Sequence, residues 1–177
     1  NTVESPTEDI PCTLLLTQKF RLDVPEANLR ETWCLRFKPQ QPLLFRPGDL
    51  LLITPDQDNK ARAYSIGSSH LTQDYIELTV GLESYQQDNG LSGFGICSGY
   101  LCHRLEVETI ITAKLRQNPD FHPPQTADQK IILVATGTGI APYSGFVDER
   151  VENHTRNTWL FYGSSKKNGG FPTWYTL

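Results

Sequence analysis

The sequence predicts an antiparallel β domain followed by an α/β domain with a parallel sheet. In residues 32–38, apolar side chains alternate with polar neighbours, a period of two that is typical of a half-buried strand. Residues 131–135 form instead a continuous apolar run, which is typical of a parallel strand covered on both faces. Between these regions, residues 117–129 contain three prolines and few apolar residues. This change in composition places the domain boundary at residues 118–129.

The composition is that of a globular protein and argues against several classes of function. The 177 residues carry a formal net charge of -4, with 38% hydrophobic and 20% charged residues, whereas nucleic-acid-binding proteins are more often basic. No apolar run approaches the roughly 20 residues that span a bilayer, and the sequence contains no signal peptide. We therefore expect a cytoplasmic protein, or one at the cytoplasmic face of a membrane, that binds no nucleic acid.

The spacing of the cysteines predicts no metal or redox motif. No two of Cys12, Cys34, Cys97 and Cys102 have the two-residue gap of a zinc site or a redox pair. The histidines are scattered as well. We expect four free thiols, which are usual in a reducing compartment.

The first domain, residues 12–117, is predicted to consist mainly of strands between turns. Residues 1–11 are polar and contain two prolines, which predicts a linker or a loose terminus. Pro47-Gly48-Asp49 predicts a turn before a buried strand. The expected strands lie at residues 12–20, 32–38, 50–53, 75–80 and 107–115, with one more that starts at Arg62.

The stretch from Arg62 to Ser69 places a cation, an aromatic ring and small hydroxyls on one short extended segment. Alternate side chains of a strand point to the same face, so Arg62 and Tyr64 share one face and Ser65 lies on the other. A guanidinium can bind a pyrophosphate through paired hydrogen bonds, and an aromatic ring can lie flat against a planar cofactor. The plain alternative is an exposed strand followed by a serine-rich turn.

Residues 95–101, Gly-Ile-Cys-Ser-Gly-Tyr-Leu, form a second candidate site. Gly95 permits close approach of the backbone. Ser98 can cap a helix that is predicted at residues 99–105, or contact a phosphate oxygen. Unsatisfied N–H groups at the start of such a helix attract anions. The alternative is a glycine-rich loop with an ordinary helix cap.

The α/β domain, residues 130–177, contains a third candidate site. Its apolar run leads into a glycine-rich turn, Thr136-Gly137-Thr138-Gly139-Ile140-Ala141-Pro142. A strand, a glycine-rich turn and a helix in this order are the context of a dinucleotide-binding site. Pro142 suits the first turn of the helix, which is expected to run to Val151. A second parallel strand is expected at residues 158–162.

Together these motifs resemble the ferredoxin-NADP reductase superfamily, and in particular its cytochrome P-450 reductase and sulfite reductase flavoprotein branch. Arg62-Ala63-Tyr64-Ser65 is similar to the superfamily's Arg-x-Tyr-Ser flavin motif. Gly95-Ile96-Cys97-Ser98 is similar to its flavin-binding loop, and the glycine-rich turn is similar to its pyridine-nucleotide turn. The resemblance extends over residues 12–168. It implies an antiparallel Greek-key FAD-binding β-barrel followed by a partial parallel-sheet nucleotide-binding domain.

The resemblance also implies the cofactors FAD and NADP, or NAD in place of NADP, with assigned contacts. In the superfamily, hydride passes from nicotinamide to flavin, and electrons then leave singly to a flavodoxin-like FMN domain or another one-electron acceptor, such as a haem or iron–sulfur protein. Arg62 is expected at the FAD pyrophosphate, Tyr64 against the isoalloxazine and Ser65, the catalytic candidate, near flavin N5. The expected FAD contacts are Arg62, Ala63, Tyr64, Ser65, Thr79, Val80, Gly81, Gly95, Ile96, Cys97 and Ser98. The expected nicotinamide nucleotide contacts are Thr136, Gly137, Thr138, Gly139, Ala141 and Pro142.

The sequence departs from the superfamily after Gly163. Residues 169–177 do not resemble its continuation, and the segments that select NADPH over NADH and shield the flavin are missing. The chain contains no methionine and begins with Asn1, so we expect a C-terminally truncated piece of a longer flavoprotein. Two other functions stay open. One is a flavin- or nucleotide-binding module without turnover, and the other is a β-barrel interaction domain that holds no cofactor.

Overall fold

The computed structural model describes residues 8–23, 30–86, 90–124, 126, 128–155 and 157–163. The predictions for the C-terminal tail fall on residues 164–177, which lie outside the described residues. The strands are β1 (Ile10–Arg21), β2 (Thr32–Pro39), β3 (Leu50–Ile53), β4 (Arg62–Ser65), β5 (Ile76–Gly81), β6 (Ser84–Gln86), β7 (Ser92–Phe94), β8 (Ile110–Arg116), β9 (Ile131–Thr136) and β10 (Thr158–Gly163). The helices are α1 (Ile96–Gly99), which continues into a π-helical turn (Tyr100–Arg104), and α2 (Ala141–Glu152). Short 3-10 turns occupy Pro119–Phe121 and Gly137–Ile140.

Six antiparallel strands form a nearly closed barrel. The strand order is β4-β3-β8-β1-β2-β5, and an isolated bridge between Ile66 and Leu78 joins the two outer strands. The chain passes from β2 to β3 across β1 and β8, so strands adjacent in sequence are separated in the sheet. The predicted antiparallel barrel, followed by a parallel α/β unit, is confirmed.

The core of the barrel is built from the inward-facing side chains of its strands. In β1, Cys12, Leu14 and Leu16 are buried, whereas the residues between them are partly exposed. Leu35 and Phe37 of β2 are fully buried beside them. Burying a side chain of this size stabilises the fold by roughly 1.5–3 kcal/mol, so this alternation fixes the register of the strands.

Several predicted elements of the barrel have different bounds in the structure. The strand expected at residues 107–115 begins at Ile110, because Glu108 adopts a left-handed φ of 69° in a turn. The helix expected at residues 99–105 begins at Ile96. The strand expected at residues 75–80 spans Ile76–Gly81, and its Glu77 is buried and pairs with Arg36 at 2.8 Å. The hairpin of β6 and β7 was not predicted.

The α/β unit contains two parallel strands and α2. Leu133 and Ala135 of β9 are buried. The expectation that β9 is covered on both faces is wrong for the described residues, since Ile132 and Val134 are 67% and 66% exposed. In the parallel register these two side chains lie beside Trp159 and Phe161 of β10, which are also exposed. We call these four residues the open sheet face.

Buried polar contacts fix α2 and the connector to the barrel. Glu149 of α2 is 3% exposed, forms an ion pair with Arg46 at 2.6 Å and accepts a hydrogen bond from the Ser69 hydroxyl at 2.6 Å. Asp49 accepts the Asn118 N–H at 2.9 Å and lies 2.7 Å from His122 Nε2. The domain boundary at residues 118–129 stays a prediction.

Two further findings bear on the sequence predictions. All four cysteines are buried free thiols. Among the residues that the structure describes, none belongs to a helix that has both the length and the apolar character needed to cross a membrane.

Candidate functional site

The Arg-x-Tyr-Ser motif forms β4, at one edge of the sheet next to β3. Its four residues pair with Leu50–Ile53 in register, with Tyr64 opposite the buried Leu51. Arg62 and Ala63 are exposed, whereas Tyr64 and Ser65 are half-buried. β4 therefore presents its cation to solvent and anchors its ring against the core.

Tyr64 joins this strand to the second motif. The Cys97 thiol at the start of α1 lies close enough to the Tyr64 hydroxyl to interact with it, and it donates a hydrogen bond to the Ile53 carbonyl at 3.8 Å. Burial, followed by the contact with Cys97, raises the pKa of the Tyr64 hydroxyl, and burial likewise raises the pKa of the Cys97 thiol. Both groups are therefore neutral at physiological pH, and the contact between the two motifs is uncharged.

Arg62, the predicted diphosphate ligand, binds acceptors of the loop before it. Its Nη2 donates to Asp58 Oδ2 at 3.0 Å, and its Nη1 donates to the Lys60 carbonyl at 2.8 Å. Slight burial raises the pKa of Asp58, but hydrogen bonds from the Lys60 N–H and from Arg62 outweigh it and hold that pKa below its ordinary value. The carboxylate is thus ionised beside the guanidinium.

Ser98 and Gly95 hold the loop before α1 in place. The Ser98 hydroxyl accepts the Glu83 N–H at 3.1 Å and lies 3.3 Å from the Gly95 carbonyl. The helix cap is Gly95, without a side-chain hydrogen bond, so the predicted capping role of Ser98 is wrong. A Cβ at Gly95 would lie 3.0 Å from Glu83 Cβ, so close packing requires glycine here. A phosphate contact from Ser98 stays a prediction.

The end of β5 lies beside the glycine-rich turn of the α/β unit. Val80 is buried in the barrel, whereas Thr79 and Gly81 are partly exposed. A Cβ at Gly81 would lie 3.1 Å from Thr138 Cγ2 and 2.9 Å from Arg30 Nε. Arg30 was missed in the sequence, where no local motif surrounds it. It donates to the carbonyls of Leu82 and Gly81, at 3.1 and 3.2 Å, and pairs with Glu83.

The glycine-rich turn is open on its outer side. Gly137 has a left-handed φ of 53°, which favours glycine. A Cβ at Gly139 would meet no atom within 4 Å, and its φ is not left-handed. Neither packing within the protein nor backbone conformation therefore requires glycine at position 139. Close approach of a ligand to the backbone would explain a glycine here.

The remaining predicted nucleotide contacts differ in exposure. Thr136 is exposed at the end of β9, and Ile96, one of the predicted FAD contacts, is exposed as the first residue of α1. Ala141 and Pro142 are buried at the start of α2, so their side chains do not face solvent.

The start of α2 packs directly on Gly67, two residues after the β4 motif. A Cβ at Gly67 would lie 2.6 Å from the Ala141 carbonyl. The Ser144 hydroxyl lies 2.8 Å from the Gly67 carbonyl and 2.7 Å from the Ala141 carbonyl. The three motifs are therefore neighbours: Tyr64 contacts the second, while Gly67 and Gly81 approach the third.

A cavity of about 510 Å³ lies apart from these motifs. None of the predicted site residues lines it, and its one carboxylate, Glu149, already binds Arg46. Within the described part of the chain, no group of three or more histidine, cysteine or acidic side chains is arranged to hold a metal ion. The cavity lining is Arg46, Leu71, Pro123, Pro124, Glu149, Arg150, Asn153 and Thr155.

Comparison with known proteins finds relatives of both parts of the chain. The family described as oxidoreductase NAD-binding domain matches residues 133–169. The sulfite reductase [NADPH] flavoprotein alpha-component of Yersinia pestis is 38% identical over 105 residues, which are 58% of this chain and 17% of that protein. The component of the same name from Neisseria meningitidis is 35% identical over the same length. The chain thus matches only a small part of these relatives.

Solved structures show the same fold. The ferredoxin-NADP+ reductase of Plasmodium falciparum superposes with a TM-score of 0.74 at 23% identity, covering 91% of this chain and 61% of that one. Its complex with 2'P-AMP superposes with a TM-score of 0.71, also at 23% identity, covering 92% of this chain and 63% of that one. The resemblance found in the sequence is confirmed by these comparisons.

Proposed function

We propose that this chain, a relative of the sulfite reductase flavoproteins with the fold of ferredoxin-NADP reductase, is an FAD-dependent NAD(P)H oxidoreductase module. The observation that carries the proposal is the adjacency of the three motifs. Tyr64 contacts Cys97, and Gly81 approaches Thr138. An aromatic strand, a tight loop and an open glycine-rich turn are thereby assembled in one region.

The residues present fit a flavin dinucleotide. Arg62 is exposed and offers further N–H donors for a diphosphate. Tyr64 is half-buried and packs against the barrel core, so its ring can serve as a rigid surface for a planar ring system. Ser65 is half-buried in the same strand, and we assign it to the polar edge of the isoalloxazine. When bound, FAD supplies the hydride and single-electron chemistry that the protein positions.

The glycine-rich turn is proposed to receive the nicotinamide nucleotide. Open space over Gly139 supports this role, because a backbone without Cβ lets phosphate approach closely. The named relatives use NADPH by their description, and we propose NADP as the preferred cofactor, with NAD as the alternative. The electron acceptor is proposed to be a flavodoxin-like FMN domain, or another one-electron acceptor of the haem or iron–sulfur type.

A second candidate function is flavin binding without turnover. The open sheet face favours it, because a parallel sheet is normally covered on both sides, and Ile132 and Val134 are two-thirds exposed. A nucleotide unit with one bare face would bind NADPH weakly, even when the barrel holds FAD. The chain would then bind flavin and fail to reduce it.

One titration separates these functions. The purified chain is incubated with FAD, separated from free flavin and examined by absorbance, then titrated anaerobically with NADPH and, separately, with NADH. Retained flavin that bleaches on addition of NADPH supports the reductase. Retained flavin that stays oxidised supports the second candidate. Absence of retained flavin would overturn both and leave a barrel that serves interaction alone.

A further inference from the structure

The loop between β3 and β4 holds a carboxylate against Arg62. The Asp58 N–H donates to the Pro55 carbonyl at 3.3 Å, and Asp58 Oδ1 accepts the Lys60 N–H at 3.1 Å. These bonds fix the carboxylate within its own loop. Asp58 Oδ2 is left to accept Arg62 Nη2 at 3.0 Å.

This ion pair lies at the surface but close to the second motif. The Arg62 side chain is 42% exposed and that of Asp58 is 20% exposed. Burial has the largest effect on the pKa of the Cys97 thiol and raises it; among the smaller effects, Arg62 lowers that pKa and Asp58 raises it. Asp58 therefore acts electrostatically on the region where the two flavin motifs meet.

We propose that Asp58 is an internal anion that weakens and thereby sets the affinity of Arg62 for the FAD diphosphate. This inference rests on the proposed function. A carboxylate and a phosphate both bind guanidinium groups, and two anions beside one cation repel each other. The loop that carries Asp58 is thus a determinant of how tightly the chain holds its flavin.

The substitution Asp58→Asn separates charge from geometry. Asparagine keeps an oxygen that can accept from Arg62, but removes the negative charge. We expect FAD to bind about threefold to tenfold more tightly to D58N at low ionic strength. The difference should shrink towards none in about 1 M salt, where the Debye length is only about 3 Å.

Two controls show whether the effect belongs to the diphosphate. Asp56 lies in the same loop and pairs with Arg104 at 3.2 Å, so Asp56→Asn removes an equal charge beside a different cation and should change FAD affinity less than twofold. Riboflavin has no phosphate, so its binding should be equal in the wild-type chain and D58N. Affinities are measured by quenching of flavin fluorescence.

The outcomes are distinct. Tighter FAD binding by D58N, with riboflavin unchanged, supports the inference. If D58N binds FAD equally or more weakly while Arg62→Ala weakens binding, Asp58 only positions Arg62, and the inference fails while the proposed function stands. If the unaltered chain does not bind FAD, the proposed function fails, and this inference fails with it.

Discussion

Ser65 is the residue on which the proposed reaction depends most. It is half-buried at the end of β4, directly before the fully buried Ile66, so its hydroxyl occupies a position that the barrel defines. Its role differs from that of Arg62, which binds the loop before the strand. The two residues can therefore be tested independently.

Replacing Ser65 with alanine should slow flavin reduction more than it weakens FAD binding. The loss of one hydrogen bond to the reacting edge is expected to lower the rate about tenfold, with the dissociation constant for FAD changed less than twofold. Anaerobic stopped-flow absorbance measures the rate and fluorescence quenching the affinity. Ser84→Ala, on the exposed strand β6, is the matched control and should change neither. Equal losses in rate and affinity in S65A would contradict the role.

The buried thiol of Cys12 should lower the free energy of unfolding at alkaline pH. Burial raises the pKa of its thiol from 9.0 to about 11, so the folded state favours the neutral thiol. Below pH 9 the thiol is protonated in both the folded and the unfolded chain, and the full stability of the fold is retained. As the pH rises from 9 to 11, the unfolded chain loses its proton first, and about 2–3 kcal/mol of the free energy of unfolding is lost.

Urea unfolding at pH 8, 9 and 10 tests this contribution. The free energy of unfolding of Cys12→Ala should fall less steeply over this range than that of the unaltered chain. Thr112→Ala, at an exposed and non-titrating position of β8, should keep the original slope. Parallel slopes for all three proteins would show that Cys12 contributes nothing to the pH dependence.

At the residue scale, the sequence predicts which side chains share one face of a strand better than it predicts the contacts of those side chains. Arg62 and Tyr64 follow from a local motif, because their alternation depends only on the strand. The contacts of Ser98 with Glu83 and of Arg30 with Gly81 depend on chain segments brought together by folding. No pattern of neighbouring residues specifies them.

At the element scale, two glycines serve opposite purposes. Gly67 lies where the start of α2 packs on the barrel, and a Cβ there would lie 2.6 Å from the Ala141 carbonyl. Gly139 lies in the turn before α2, and a Cβ there would meet nothing within 4 Å. The first is required by packing and the second by the proposed ligand.

The substitutions Gly67→Ala and Gly139→Ala should therefore have opposite effects. G67A should lower the free energy of unfolding by about 1–3 kcal/mol, because overpacking forces the helix away from the barrel. G139A should change it by less than about 0.5 kcal/mol but weaken NADPH binding about tenfold. Urea unfolding and anaerobic NADPH titration are the measurements. Unchanged NADPH binding in G139A would contradict the proposed role of the turn.

The elements themselves follow closely from the sequence, apart from their ends. The strand at Leu50–Ile53 is found as predicted, because an apolar run after a Pro-Gly-Asp turn specifies it locally. The start of β8 was placed too early, since Val107 is apolar but 44% exposed in a turn. The β6–β7 hairpin was missed because its strands have only three residues each, too short for a period to be recognised.

At the scale of the whole molecule, the two parallel strands and one helix of the described α/β unit cannot bury both faces of a sheet, which agrees with the open sheet face. The apolar run of β9 was expected to be covered on both faces. In the described residues Leu133 and Ala135 are buried, whereas Ile132 and Val134 are exposed. The hydrophobicity of a strand indicates that burial would stabilise it. It does not indicate whether other segments of the chain pack on both of its faces.

The open sheet face should promote self-association. An exposed apolar patch of this kind is an aggregation site, so the double variant Val134→Thr with Phe161→Thr should lower static light scattering at a given concentration while retaining the circular dichroism spectrum. Leu133→Thr is the matched control: its position is 7% exposed, so it should destabilise the fold. Unchanged scattering in the double variant would show that this face is not the contact between copies.

The ion pair between Arg46 and Glu149 has a consequence for motion. It is 2.6 Å long, its carboxylate is 3% exposed, and it ties the helix after the glycine-rich turn to a loop of the barrel. Separating the two units would break this ion pair together with the hydrogen bond from Ser69 to Glu149. These contacts oppose a hinge motion between the two units. We therefore expect the proposed nucleotide to enter and leave through local adjustment of the turn at Gly137–Ile140, which is open at Gly139.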